Sequence, residues 1–329
     1  MRTPLTPLLL AGLCAPVWNS TAIASNAPMR LADPTIAKFD ETYYAYGTMG
    51  GGPNQTLRGF PVYTSTDLEK WSGPMGASQG LALTKGDAFG DTGFWAPQVF
   101  RYNGRFYMAY TANENIAIAV SDSPLGPFVN ESKLALASPT KQIDPFVFFD
   151  DDGRIYLYHV RLGGGNTICV AEMNDDLMSI KEDTLKVCIR SEPGWENTGQ
   201  YKAPPIAEGP TVIKHNGTYY LIYSANHFMS TDYAVGYAVS SSPLGPWKKT
   251  EDNPVIHGRM IRENGSGHGD LFQDKSGRFH YVLHTHSTLE DVRPRKTGLV
   301  AIEFVPADAG PDRLVIRPES YRVLQTAAK

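Results

Sequence analysis

The sequence predicts an all-β fold, a five-bladed β-propeller made of a single domain. Three observations predict it: a hairpin motif recurs five times, helical periodicity is nearly absent, and 31 Gly with 24 Pro suit many short strands joined by turns. Self-similarity at a period of tens of residues is typical of repeat architectures such as propellers. A β-sandwich is the alternative, because turn signals alone would fit it.

Two copies of the repeat match closely. Each has a short strand, a tight Asn-Gly turn, a second strand rich in Tyr, a strand ending in Ala-Val-Ser, and then Ser-Pro-Leu-Gly-Pro before an aromatic residue. They cover residues 102–128 and 215–247, and weaker copies begin near Phe39, Asp151 and Asp274. The units recur about every 50 to 65 residues, near the length of a four-stranded blade with extra loop residues.

Residues 1–24 have the pattern of a secretory signal peptide. Arg2 gives a positive start, residues 7–17 are mostly apolar, and residues 22–24 read Ala-Ile-Ala, a small-residue cleavage pattern. An ordinary N-terminal helix is the alternative. The folded domain is then predicted to cover residues 25–329 of a secreted or periplasmic protein. No later stretch approaches the roughly 20 apolar residues of a transmembrane helix, so no membrane span is expected.

Composition and charge exclude some classes of partner. A formal net charge of -4 without a long basic run argues against nucleic acid, and 42% hydrophobic residues are enough for a large core. We expect a monomer. Cys14 lies in the predicted signal peptide, which leaves Cys169 and Cys188. These two either pair across a hairpin or remain buried thiols, and the sequence leaves both open.

The segment before each hairpin is predicted to be the innermost strand of its blade. These segments contain Asp33-Pro34, Trp95-Ala96-Pro97, Asp144-Pro145, Glu208-Gly209-Pro210 and Gly267-His268-Gly269. First strands of a propeller surround one axis, so equivalent positions converge at one end of the central channel. We therefore expect Asp33, Asp144 and Glu208 at the same register in one pocket, where proximity and burial separate their pKa values.

Carboxyl groups with separated pKa values suit glycoside hydrolysis. One carboxyl stays protonated and gives a proton to the leaving oxygen, while another stays ionised to activate water or attack carbon. Each motif alone is weak evidence, since Asp-Pro and Glu-Gly-Pro are common in turns. The signal is that three of the five units carry an acid.

Taken together, these motifs resemble glycoside hydrolase family 43 over roughly residues 30 to 305. The resemblance implies a five-bladed propeller that acts on arabinose- or xylose-containing glycans and inverts configuration, with base and acid carboxyls about 6.5–9.5 Å apart. It implies Asp33 as general base, Glu208 as general acid, and Asp144 as the residue that orients the acid and adjusts its pKa. No cofactor is required for this chemistry.

The resemblance also implies binding positions. Trp95, beside Ala96, is similar to an aromatic wall next to the glycone sugar, and Arg295 is similar to a late arginine that contacts this sugar. His268 matches a histidine near a structural calcium or sodium ion in the central channel. Gln98 departs from the family pattern, in which many members have an acid after Ala-Pro.

The expected activity is release of a terminal pentose, α-L-arabinofuranose before others, from plant-type polysaccharide or oligosaccharide. β-D-Xylosidase and endo-arabinanase activity are alternatives, and rim loops that include residues 50–59, 191–207 and 263–266 would decide among them. A non-catalytic carbohydrate-binding propeller is the alternative of another class, although binding alone gives no reason to keep three acids.

Two further groups of side chains are candidates for chemistry. Glu196 is a reserve acid in a loop. His280, His284 and His286 share strand parity, and alternate residues of a strand face one way, which would suit a metal site. Histidines on an ordinary strand are the commoner explanation.

Overall fold

The computed structural model describes residues 26–49 and 58–327, and its regular structure is almost entirely β, as predicted. In chain order the strands are β1 Ala27–Pro28, β2 Leu31–Phe39, β3 Thr42–Met49, β4 Gly59–Ser65, β5 Lys70–Trp71, β6 Leu81–Thr84, β7 Trp95–Tyr102, β8 Arg105–Ala112, β9 Asn115–Ser121, β10 Gln142–Phe149, β11 Ile155–Leu162, β12 Asn166–Glu172, β13 Lys186–Arg190, β14 Ala207–His215, β15 Thr218–Ala225, β16 Ala234–Ser240, β17 Lys248–Lys249, β18 Gly267–Gln273, β19 Phe279–Thr285, β20 Lys296–Val305, β21 Arg313–Val323 and β22 Gln325–Thr326. A 3₁₀ turn covers Glu182–Thr184, and a four-residue helix, α1, covers Gly258–Ile261. The predicted signal peptide at residues 1–24 lies outside the described residues.

The strands of the described residues form six sheets. Sheets 1 to 5 are antiparallel, with the strand orders β2-β3-β4-β6, β7-β8-β9, β10-β11-β12-β13, β14-β15-β16-β17 and β18-β19-β20-β21. The sixth, the terminal sheet, has the order β1-β22-β5. The single-domain, all-β propeller is confirmed, but the predicted count of five is wrong, because six sheets are present. The terminal sheet escaped prediction because its strands are two residues long and carry no alternating pattern or hairpin turn.

The predicted hairpins form the first two strands of each larger sheet. Between β7 and β8, Asn103 and Gly104 have φ angles of 46° and 80°, and Asn216 and Gly217 repeat this between β14 and β15 with 47° and 77°. Two successive positive φ angles are typical of the tight turn whose twist matches that of a hairpin. Asn-Gly at these places therefore sets the strand register locally.

Hydrophobic clusters in the described residues fill the space between neighbouring sheets. Phe60 of sheet 1 and Tyr110 of sheet 2 belong to one cluster, with ring centroids 5.6 Å apart. Similar clusters lie between sheets 2 and 3, 3 and 4, and 4 and 5. A further cluster joins Val282 of sheet 5 to Ala45 of sheet 1, and this contact closes the ring of sheets. Burial of each large apolar side chain stabilises the fold by about 1.5–3 kcal/mol.

The two cysteines are free thiols, which decides between the alternatives left open by the sequence. Cys169 pairs with Val187, and Cys188 falls in the register shift between β12 and β13. Cys188 packs with the cluster between sheets 3 and 4, whereas Cys169 is not a member of that cluster. Among the described residues, no helix has the length and apolar character needed to cross a bilayer.

Every inner strand, meaning the first strand of each larger sheet, has a register irregularity near its start. The residue in this irregularity has a positive φ in all five cases: Asp33 (46°), Ala96 (45°), Asp144 (55°), Gly209 (59°) and His268 (40°). Residues other than Gly rarely adopt this conformation, so four of the positions are strained. A bulge re-aims its side chain, and these five residues line the central channel.

Side chains near the ends of the second strands hold these bulges from the preceding sheet. In four of the five bulges, the backbone N–H donates a hydrogen bond to such a side chain. These bonds run from Ala96 to Thr48 Oγ1 (3.0 Å), from Asp144 to Thr111 Oγ1 (2.9 Å), from His268 to Ser224 Oγ (2.7 Å) and from Asp33 to His284 Nδ1 (3.2 Å). The equivalent position in sheet 3 is Val160, whose side chain has no atom that can accept a hydrogen bond. There the N–H of Gly209 donates to Asp144 Oδ2 at 3.2 Å instead. These contacts link the larger sheets into a ring.

Replacing Thr111 with Val tests the importance of one such contact. Thr111→Val removes the acceptor of the buried Asp144 N–H and nearly keeps the side-chain shape. An unsatisfied buried donor costs about 1–3 kcal/mol, so we expect the free energy of unfolding in urea to fall by about that amount. Thr140→Val, at an exposed position, is the control and should change it by less than about 0.5 kcal/mol. Wild-type stability of Thr111→Val would contradict this role.

Candidate active site

A cavity of about 190 Å³ opens where the inner strands begin. Its lining consists of Asp33, Trp95, Ile143, Asp144, Glu208, Phe228, His268, Arg293 and Arg295. The predicted acids, Trp95, His268 and Arg295 are thus brought together. Ala96 lines the narrower part of the channel that continues along the strands. The inner strands therefore converge on one cavity. The roles assigned to these residues stay predictions.

The three acids do not share one register, which corrects the sequence prediction. Asp33 and Asp144 occupy the bulge position with positive φ, but Glu208 precedes that position, which Gly209 takes. Glu208 is instead equivalent to Trp95, since each pairs with the second strand directly before the register shift. A Cβ atom at Gly209 would lie 2.8 Å from the ring of His268, so this position has no room for a side chain.

Asp33 is buried and surrounded by positively charged or donating groups. Arg295 Nη1 donates to its Oδ1 at 3.0 Å, and Thr48 Oγ1 donates to its Oδ2 at 2.6 Å. Burial raises the pKa of a carboxyl group, but Arg295, His268 and His284 outweigh burial and hold the pKa of Asp33 well below its usual value. Asp33 is therefore ionised at neutral pH.

Glu208 has the opposite electrostatic setting. Burial raises its pKa, His268 opposes this, and the charge of Asp33 adds to the increase. Its Oε1 accepts a hydrogen bond from Tyr233 Oη at 2.8 Å, and its Oε2 accepts one from Asn166 Nδ2 at 2.8 Å. These two donors lower the pKa, but the net direction is upward. Glu208 therefore keeps its proton to a higher pH than a free carboxyl group does.

Asp144 and His268 connect the other two acids. Burial raises the pKa of Asp144, His268 opposes this, and the charges of Glu208 and Asp33 add to the increase. Burial disfavours the charged form of His268, but the three acids outweigh it and raise its pKa. His268 Nδ1 lies 3.6 Å from Asp33 Oδ1 and 4.0 Å from Asp144 Oδ2. A cation between two carboxyl groups reduces their mutual repulsion.

Several residues of the site were not predicted. His284 had been considered as a metal ligand, yet its Nδ1 lies 3.3 Å from Asp33 Oδ1, and burial together with Arg295 lowers its pKa to about 3. An alignment of the second strands would have shown that His284 occupies the place of the polar residues in sheets 1, 2 and 4. Tyr233 directly precedes β16 and Asn166 is the first residue of β12, and neither position carries a repeat signal.

The reserve acid Glu196 lies outside this cavity. Its carboxylate is buried in a separate network in which Tyr223 and Lys249 donate to it. A buried carboxylate held by a lysine and a tyrosine is satisfied, and its place in the fold is structural. The sequence hypothesis of Glu196 as an acid for catalysis is not supported.

The histidines with shared strand parity do not meet at a metal site. His280 contacts Asp274, and His286 contacts the carbonyl of Phe228. Within residues 26–49 and 58–327, no group of three or more His, Cys, Asp or Glu side chains is arranged to hold a metal ion. The calcium or sodium ion expected near His268 stays a prediction.

Comparisons with known proteins agree with this geometry. Residues 27–308, which include every residue that lines the cavity, match the family described as Glycosyl hydrolases family 43. The chain is similar to the solved structure of an endo-1,4-beta-xylanase from Bacteroides thetaiotaomicron, with 40% identity, a TM-score of 0.82, and coverage of 92% of this chain and 99% of that chain. It is 26% identical to a beta-D-galactofuranosidase of Aspergillus niger, over 80% of this chain and 76% of that protein. It is also 26% identical to a xylosidase/arabinosidase of Bacteroides ovatus, over 66% of this chain and 76% of that protein.

Replacing Arg295 with Met tests what keeps Asp33 ionised. Because the folded pKa of Asp33 is lowered, its carboxylate stabilises the fold above the unfolded pKa of about 3.9, and this stability is lost as the pH falls through the folded pKa. Arg295→Met raises the folded pKa, since burial is then less opposed. We expect the loss in unfolding free energy, measured in urea, to be largest at pH 7 and to shrink toward pH 3.

The matched control is Arg293→Met. The guanidinium groups of Arg293 and Arg295 lie over the same Phe228 ring, at 5.3 and 4.7 Å, but Arg295 is the one that contacts Asp33. The loss in the control should therefore change less between the two pH values than the loss in Arg295→Met, since the charge of Arg293 acts on His227 and not on Asp33. An equal pH dependence in the two variants would contradict the electrostatic role of Arg295.

Proposed function

The chain belongs to glycosyl hydrolases family 43, which makes it a glycosidase that hydrolyses O-glycosyl bonds, and we propose that it releases terminal α-L-arabinofuranose from plant-type polysaccharide with inversion of configuration. The observation that carries this proposal is the opposite setting of two acids in one cavity. The pKa of Asp33 is lowered and that of Glu208 is raised. Hydrolysis with inversion requires one ionised and one protonated carboxyl group.

Glu208 acts as the general acid in this proposal. Its proton passes to the glycosidic oxygen while the bond from that oxygen to the anomeric carbon breaks, so the aglycone leaves as a neutral alcohol. Tyr233 and Asn166 donate to the two carboxyl oxygens and hold the group in one orientation. The same donors stabilise the carboxylate that forms when the proton leaves.

Asp33 acts as the general base. It takes a proton from a water molecule whose oxygen attacks the anomeric carbon on the face opposite the leaving group. A carboxylate offers about four lone-pair sites, and Arg295 and Thr48 use one on each oxygen, which leaves room for the water. The proton gained by Asp33 balances the proton lost by Glu208, so the net charge of the site is unchanged by the reaction.

Asp144 positions the acid and adjusts its pKa. Its Oδ2 accepts from the N–H of Gly209, the residue directly after Glu208, and so holds the backbone that carries the acid. Burial and the charges of Glu208 and Asp33 favour a proton on Asp144. Burial raises the pKa of both Asp144 and Glu208, so a proton is held in this part of the cavity to a higher pH and is available for the leaving group.

The size of the cavity supports a small sugar. A volume of about 190 Å³ is below the roughly 300–1,000 Å³ of sites for drug-sized ligands and suits a single monosaccharide residue. Trp95, with 37% of its surface exposed, offers an apolar wall. The name of the Aspergillus niger relative specifies a furanose, and the name of the Bacteroides ovatus relative includes arabinose. These names support arabinofuranose for this chain.

A β-D-xyloside is the second candidate substrate. The name of the Bacteroides ovatus relative also includes xylose, and the similar solved structure from Bacteroides thetaiotaomicron bears the name of a xylanase. Both sugars are pentoses, so the cavity volume favours neither over the other.

The substrate and stereochemistry can be tested together with the purified protein. We expect p-nitrophenyl α-L-arabinofuranoside to be cleaved faster than the β-D-xyloside, and proton NMR of the first product to show the β anomer, because inversion sets the new hydroxyl on the opposite face. Faster cleavage of the xyloside would favour the second candidate. The α anomer as first product would exclude Asp33 as a base acting through water.

Replacing Glu208 with Gln tests the assignment of the acid. Glu208→Gln should lower kcat on a natural arabinoside roughly 10²–10⁴-fold, because no proton reaches the leaving oxygen. The loss should be much smaller on a 2,4-dinitrophenyl arabinoside, whose leaving group needs little protonation. Asp33→Asn is the comparison and should abolish turnover of both substrates. Equal losses on both substrates for Glu208→Gln would contradict the acid role.

A further inference from the structure

A second cavity of about 350 Å³ lies beside sheet 4 and is lined by residues of α1 and of the connections around this sheet. Its apolar side includes Trp195, Pro254 and Met260, and its polar side includes Asp232, His257 and Arg259. We call it the outer cavity. Its volume falls within the roughly 300–1,000 Å³ of ligand sites, and nothing in the hydrolytic chemistry above uses it.

The outer cavity lies at the same end of sheet 4 as Glu208. Glu208 pairs with Ser224 at the end of β15, and β16, which pairs with that end, begins directly after Tyr233. Tyr233 donates to Glu208, and its neighbour Asp232 lines the outer cavity. Adjacent strands are about 4.8 Å apart, so a site beyond the third strand is roughly 10–15 Å from the innermost one. One sugar cannot occupy both cavities, whereas an oligosaccharide is long enough to cover this distance.

The lining of the outer cavity suits a sugar ring. The indole of Trp195 is partly buried against the backbone of sheet 4, because a Cβ atom at Gly236 would lie 2.5 Å from it. This contact fixes the plane of the indole. Met260 is 43% exposed beside it, and His257 lies 3.9 Å from Asp232 on the polar side. An apolar wall with a few donors and acceptors matches the C–H face and hydroxyl groups of a neutral sugar.

The position of the acid sets where the aglycone begins. A general acid must lie next to the glycosidic oxygen, so the aglycone begins beside Glu208, near the start of β14 in sheet 4. Two connections form the surface there, residues 191–206 and 226–233. They contribute Phe228 to the catalytic cavity and Trp195 to the outer cavity, and they stack Tyr201 on His227 with ring centroids 4.4 Å apart.

We propose that the outer cavity binds a neutral sugar of the polysaccharide backbone, away from the scissile bond. The inference rests on the proposed function, and it adds that binding energy from the backbone sugar favours branched oligosaccharides over substrates without an aglycone chain.

The test compares Met260→Ala with the matched control Met178→Ala in the full chain. Met260 and Met178 have similar exposed fractions, 43% and 45%. Met178 follows the end of β12 and lies at the end of sheet 3 that is away from the catalytic cavity. We expect Met260→Ala to raise KM for a long arabinoxylo-oligosaccharide roughly tenfold, and to leave kcat/KM for p-nitrophenyl α-L-arabinofuranoside unchanged. Met178→Ala should behave as wild type on both substrates.

Trp195→Ala and Trp195→Phe form a second pair. We expect Trp195→Ala to raise the same KM, and Trp195→Phe to restore most of the wild-type value, with circular dichroism confirming that both are folded. Unchanged KM values in Met260→Ala and in folded Trp195→Ala would overturn the inference. A dimer in light scattering that Met260→Ala dissociates would also overturn it, since the cavity would then be an interface. Failure of the wild type to cleave either aryl pentoside would refute the proposed function instead.

Discussion

In four of the five larger sheets, a side chain near the end of the second strand holds the bulged start of the inner strand in the next sheet. Four of these bulges place a residue other than Gly at a positive φ, a conformation that costs of order 1–3 kcal/mol and persists only where the surroundings enforce it. Hydrogen bonds from the bulged backbone N–H groups to Thr48, Thr111, Ser224 and His284 supply this enforcement, together with the clusters between sheets. The side chains that line the catalytic cavity are therefore positioned by contacts between sheets, and their spacing depends on closure of the whole ring.

Two of the ring contacts are also part of the catalytic site. Between sheets 5 and 1, the acceptor is His284, whose ring also contacts the carboxylate of Asp33. Between sheets 3 and 4, Val160 cannot accept, and Asp144 takes the N–H of Gly209 in its place. Asp144 thus has a structural task, since it holds the backbone directly after Glu208, and an electrostatic one, since its charge raises the pKa of His268.

The charges of the cavity are balanced although three acids are buried there. Arg295 and His268 lie against Asp33, whereas burial raises the pKa of both Asp144 and Glu208. Buried charges without partners are strongly unfavourable, so the cations beside Asp33 and the raised pKa values of the other two carboxyl groups allow the acids to coexist. The pKa values of Asp33 and Glu208 are therefore shifted in opposite directions within a single cavity.

The sequence by itself determined the hairpins, the propeller, the family and the set of acids. Turn residues such as Asn103 and Gly104 act locally, and repetition of the unit implies convergence of the inner strands. The tertiary structure decided the terminal sheet, the one-residue offset of Glu208, and the contacts of Tyr233 and Asn166 with it. These features depend on where a bulge inserts a residue and on how connections pack over distant strands. Neither leaves a periodic pattern in the chain, because the partners are brought together only when the ring closes.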